Sequence, residues 1–214
     1  MYGFSMKHLL PAIVLFALLA PVASAQQRGY PSAPPLKSWR IAFHGGVGVL
    51  GDDNTRGSSN YQYRALFGGE VVWTVHTHIA VGVHADWGDL RSRSDNREVN
   101  TEFADAGLLV EFHAPLFKGS LYPFVQLRSG AITILPGVVT DGILAEHERS
   151  WHLYWSVVAG FEIISWRRVG IRSVIGVTYS STDMWDLMVQ GSDRDGFSFA
   201  QIGLSYYIGA RGRR

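Results

Sequence analysis

The sequence predicts an all-β fold: an eight-stranded antiparallel transmembrane β-barrel of up-and-down meander order, following an N-terminal signal peptide. Three observations carry that reading. Period-two alternation of apolar and polar residues recurs along the chain, which is strand rather than helix spacing. Glycines and charged residues gather on one face of these strands, and large apolar residues on the other. Beyond the leader, no apolar run reaches the 18 or so residues that a membrane helix needs. Composition agrees, because 47% of the 214 residues are hydrophobic, only 17% are charged and 24 are glycine. Soluble domains carry about 25% charge and about 7% glycine. The absence of cysteine excludes disulfides, thiol catalysis and thiolate metal sites. A formal charge of +1 without a basic run argues against a nucleic-acid partner.

In chain order, Lys7 and His8 precede the apolar run Leu9 to Ala20, and Ala23-Ser24-Ala25 follows. A basic start, a short apolar stretch and an A-x-A site describe a secretory signal peptide over 1–25. Its removal takes away Lys7 alone among charged residues and leaves 18 bases against 18 acids. Residues 26–38, with Pro31, Pro34 and Pro35, read as an extended periplasmic linker. The barrel is expected over 39–208, with strands at about 39–51, 61–72, 77–89, 99–113, 121–135, 149–164, 169–182 and 196–208, and a short basic tail over 209–214. The seventh strand shows the pattern plainly: Ile171, Ser173, Ile175, Val177 and Tyr179 share one face, Arg172, Val174, Gly176, Thr178 and Ser180 the other.

Glycine decides which face looks inward. Gly46, Gly48, Gly68, Gly82, Gly107, Gly130, Gly160, Gly176 and Gly203 all fall on the polar faces. On a solvated sheet such residues weaken a strand and gain nothing. In an eight-stranded barrel, whose lumen is barely wide enough for side chains, they make room for large polar neighbours. The polar face is therefore expected inside and the apolar face against lipid. Connections at about 52–60, 90–98, 136–148 and 183–195 read as long loops, and those at 73–76, 114–120 and 165–168 as short turns. With short turns periplasmic, both chain ends are expected in the periplasm of a cell with an outer membrane. Trp39, Trp73, Trp87, Trp151, Trp155, Trp166 and Tyr206 lie near strand ends, as an interfacial aromatic girdle would.

Leu121-Tyr122-Pro123-Phe124-Val125, followed by Gly130, resembles a strand opening of small outer-membrane barrels of the OmpA, OmpX and opacity-protein type. Gln201, Gly203, Tyr206 and Ile208 resemble the carboxy-terminal signal read by the barrel-assembly machinery, with Ile208 where an aromatic residue is usual. The resemblance covers about residues 39–208. It implies an outer-membrane protein in contact with lipid and lipopolysaccharide, inserted by that machinery through its last strand.

Inward charges form the most prominent constellation. Arg64, Glu70, Asp86, Asp105, Glu111, Arg128, Glu162 and Arg172 share the glycine face, with His44 and His84, and are expected to pair as a lumenal ionic network. Arg91, Arg93, Arg97 and Trp185, in the expected outer loops, are candidates for binding an extracellular partner. His76-Thr77-His78, with His113 on the same rim, has the same-face spacing of metal ligands but no matching acid, and reads as polar turn residues. Some small outer-membrane barrels deacylate lipid A through a His-x-Ser pair; no histidine here has serine two residues on. The expectation is a non-catalytic barrel without metal or cofactor, serving envelope integrity, adhesion or loop-mediated binding. A narrow gated pore is the alternative, and a lipid-A-modifying enzyme ranks below it.

Overall fold

A computed structural model describes residues 37–51, 61–94, 97–114, 121–140, 143–146, 148–166, 168–181 and 196–209. The expected leader 1–25, residues 26–36 and the tail from 210 lie outside them. The strands are β1 (Trp39–Gly51), β2 (Tyr61–Gln62), β3 (Arg64–His76), β4 (Ile79–Ser94), β5 (Arg97–His113), β6 (Leu121–Thr140), β7 (Ile143–Glu146), β8 (Ser150–Trp166), β9 (Val169–Ser180) and β10 (Gly196–Ile208). β2 continues β3 past Tyr63 and stays on the same neighbour, Tyr61 opposite Ser92. β7 folds back on the end of β6, Gly137 opposite Glu146. The remaining strands make eight staves, each antiparallel to its sequence neighbours.

Closure comes from β1 and β10, which pair along their whole length from Trp39 opposite Ile208 to Gly51 opposite Gly196. β1 also pairs with β3, Trp39 opposite Trp73, so neither terminal strand leaves an open edge. Both ends of the barrel sequence therefore emerge at one mouth, beside the short β3–β4 and β8–β9 turns. Register shifts between Thr74 and His76 and between Ile164 and Trp166 bend the strands into those turns.

The alternation is inside-out. Phe43, Leu108, Leu153, Ile202 and Leu204 each leave more than 60% of their surface exposed, whereas Glu70, Glu111, Glu162 and Arg172 are at most 3% exposed. With apolar side chains outside and every stave paired, this is a membrane barrel. Glycine serves the interior as the sequence implied. A Cβ on Gly68 would collide with the Asp86 carboxylate and stand 2.6 Å from His44 Nε2, and one on Gly107 would come within 2.8 Å of the Tyr154 hydroxyl.

Two expected loops are corrected. The segment 90–98 is mostly strand: β4 runs to Ser94, β5 begins at Arg97, and Ser94 still pairs with Arg97. Likewise 136–148 contains the end of β6 and all of β7. Outside the lipid both faces of a strand are wet, so hydrophobic alternation fades there and charge-rich strand ends read as loop.

The face assignment has a direct check. Replacing outward Ile175, 44% exposed, with Arg places a charge against hydrocarbon at a cost of about 2–4 kcal/mol. The folded fraction, read as heat-modifiable mobility on a gel, is expected to fall sharply. Thr178→Ser, on the inward face, keeps the hydroxyl that bonds Ser156 Oγ at 3.1 Å and is expected to leave it unchanged.

Candidate functional site

The lumen is filled in two layers. Toward the short-turn mouth lies an ionic layer built from the starts of β1, β6 and β9 and the ends of β3, β5, β8 and β10. Arg40 is its hub: Nη1 donates to Glu111 Oε1 at 2.8 Å, and Nη2 to Glu111 Oε2 at 2.6 Å and Glu70 Oε1 at 2.7 Å. Arg172 donates to Glu162 Oε2 at 2.9 Å and Glu111 Oε2 at 3.1 Å, with its guanidinium 4.1 Å from the Phe124 ring centre. Gln126 bridges the acids and the third arginine. Its amide nitrogen donates to Glu70 and Glu111, and its oxygen accepts from Arg128 Nε at 2.9 Å and Nη2 at 2.7 Å. Ser205 donates a hydrogen bond to Glu162.

Mid-lumen, Arg128 Nη1 reaches Asp86 Oδ2 at 3.0 Å. The same carboxylate holds His44 Nε2 at 2.7 Å and His84 Nδ1 at 3.2 Å, while His84 Nε2 meets the Tyr154 hydroxyl at 2.7 Å. Asp105 sits opposite Asp86 across the β4–β5 ladder, its Oδ1 3.5 Å from His84 Nδ1. These bonds tie staves far apart in sequence, Arg40 and Glu111 being 71 residues apart. Groups this buried are tolerated only where paired.

Above them, toward the long-loop mouth, the inward face turns apolar. Leu50, Leu66, Leu90, Phe103, Ile132, Ile134, Phe197 and Phe199 form one buried cluster, with the Phe103 and Phe197 rings 4.8 Å apart. The expectation of a polar lumen therefore needs correcting in this half, where hydrophobic side chains predominate among the described residues.

Of the expected network residues, Glu70, Asp86, Asp105, Glu111, Arg128, Glu162 and Arg172 come together. Arg64 does not: it has the inward parity but stands near the start of β3, at the rim, where Nε lies 3.5 Å from Asp89 and its side chain is 32% exposed. Sequence reasoning missed Arg40 and Gln126. Both share parity with recognised inward residues, Arg40 with His44 and Gln126 with Arg128, and that spacing was the available signal.

Among the girdle residues, Trp39 packs on Trp73 at 4.9 Å near the short-turn mouth, with Tyr206 nearby on β10. Trp155 stacks on Tyr179 at 4.7 Å and Trp87 faces Phe67 at 5.9 Å toward the other end, where Trp151 is 70% exposed. The Trp166 side chain is outside the description. Arg91 lies on β4 and pairs with Glu98 at 3.2 Å. Arg93 and Arg97 lie on strand backbone with side chains not described, and Trp185 falls outside the described residues. Of the turn histidines, His78 Nδ1 is taken up by the His113 carbonyl at 3.1 Å.

No family model and no curated protein matches the sequence. Solved structures do match in fold. Neisserial surface protein A superposes with a TM-score of 0.56 at 7% identity, over 78% of this chain and 96% of that one. A major outer membrane protein from Thermus thermophilus gives 0.51 at 8% identity, over 79% and 99%. Ail, the attachment invasion locus protein of Yersinia pestis, gives 0.50 at 11% identity, over 81% and 99%. At such identities the likeness is one of fold, and that fold is the small outer-membrane β-barrel.

Removing one partner from the ionic layer strands the others. Arg40→Met leaves Glu70 and Glu111 without their hub and is expected to cost roughly 3–5 kcal/mol, read as a lowered urea midpoint in detergent. Arg64→Met, at the wet rim, is expected to change stability by about 0–1 kcal/mol.

Proposed function

We propose that the chain is an integral outer-membrane barrel with a structural or surface-interaction role, non-catalytic, its termini in the periplasm and its long connections outside the cell. The observation that carries this is the filled lumen: an ionic layer cross-linking seven staves beneath a largely apolar stopper. Such an interior stiffens the wall and holds strand register, and it leaves little room for a substrate. What remains for recognition is the outer rim. There β4 and β5 rise past the apolar stopper and carry Arg91, Arg93 and Arg97, basic groups suited to lipopolysaccharide or an acidic partner surface. β9 ends and β10 begins at the same rim. The last strand, with Gln201, Gly203, Tyr206 and Ile208, suits docking to the assembly machinery while β1 awaits closure.

Conductance separates this reading from the gated pore. Purified, folded protein in a planar bilayer is expected to be electrically silent; discrete openings in the wild-type chain favour the pore. Recovery of the chain as a monodisperse species in plain buffer would overturn the membrane assignment altogether.

A further inference from the structure

Among the described residues, the lumen as a whole carries an imbalance of charge that its arginines do not remove. Five buried carboxylates (Glu70, Asp86, Asp105, Glu111 and Glu162) face three buried guanidiniums (Arg40, Arg128 and Arg172), which leaves two negative charges when the histidines are neutral. The surplus is concentrated where Asp86 and Asp105 stand directly opposite on the β4–β5 ladder with both side chains inward, an arrangement that repels. Asp105 is 7% exposed, yet its Oδ1 accepts no hydrogen bond. A buried carboxylate oxygen without a donor is costly.

We propose that His84, Asp86 and Asp105 bind one divalent cation of the zinc type. His84 Nδ1 lies 3.2 Å from Asp86 Oδ2 and 3.5 Å from Asp105 Oδ1, and the three donor atoms are all within 4.8 Å of one another. Donors bonded at about 2.0–2.2 Å around a tetrahedral ion stand about 3.3–3.6 Å apart, so two of the three edges are already near that length. One imidazole nitrogen and two carboxylate oxygens suit a borderline first-row cation better than a thiolate-seeking one.

Outer contacts orient the donors. Tyr154 engages the far nitrogen of His84, and His44 holds the other oxygen of Asp86, as metal ligands are commonly held by a second hydrogen bond. Arg128 donates to Asp86 Oδ2 at 3.0 Å, and the cation would replace the contact of His84 Nδ1 with that same oxygen. His84, Asp86 and Asp105 also line a cavity of about 10 Å³, shared with Arg128, Tyr154 and the Phe103 and Phe199 rings, which is about the size of one water. Two positive charges would cancel the surplus and pin β4 to β5. Sequence spacing shows that His84 and Asp86 share a face, but not that Asp105 is their cross-strand partner.

The test is the zinc content of the folded full chain, extracted in mild detergent from cells grown with added zinc and passed through gel filtration. About one zinc per chain is expected, falling at least tenfold in His84→Gln and in Asp105→Asn. Tyr154→Phe keeps all three donors and is expected to bind zinc roughly 10–100-fold more weakly in chelator competition, which serves should the ligand variants fail to fold. A zinc-free wild-type barrel overturns the proposal, since protons then balance the cluster. So does zinc retained in the folded ligand variants, which places it elsewhere, or unaltered affinity in Tyr154→Phe.

Discussion

Backbone N–H and C=O groups within hydrocarbon find no water, so a sheet that enters a bilayer must satisfy every one of them internally. That requirement governs the rest of this structure. It makes β1 and β10 pair from end to end, and with eight staves it fixes a lumen too narrow for anything but side chains. Filling that narrow space then dictates the inward residues. Glycines stand where the Asp86, His44 and Tyr154 side chains need clearance, and the charges that enter are held by several partners each.

The interior divides its labour. The ionic layer supplies directional bonds, and because Arg40, Glu111, Gln126 and Arg172 come from different staves, a slip in any one register breaks several bonds at once. The aromatic and aliphatic layer above supplies dense packing without direction. Phe103, Phe197 and Phe199 leave space for little more than one water beside Asp86 and Asp105, and drier surroundings strengthen each ion pair there.

Much of this was legible in the sequence. Strand positions followed from alternation, and the inward face from the parity of Gly68, Gly107 and Gly203 with Glu70, Glu111 and Gln201. What parity cannot supply is which inward residues meet, because that depends on the stagger between staves. Arg40 and Glu111 touch only once the barrel closes. For the same reason Arg64 was expected in the network although height along the stave puts it at the rim. The apolar stopper escaped notice because a rule that equates inside with polar has no place for Leu50, Leu66 or Phe199. The strand ends near Arg91 and Arg97 were hidden by losing the lipid contact that makes a strand recognisable.

The unequal capping of the two mouths also bears on how the interior communicates with its surroundings. Apolar side chains crowd one end, while near the other buried Gln126 and His113 stand against Glu111, and Tyr207 lies opposite Arg40 on the neighbouring strand. Neither filling opens a path to the carboxylates, none of which is more than 7% exposed, so the barrel behaves as a solid pin rather than a vessel. Whatever the long-loop rim touches, the charges at the pin's centre stay out of its reach.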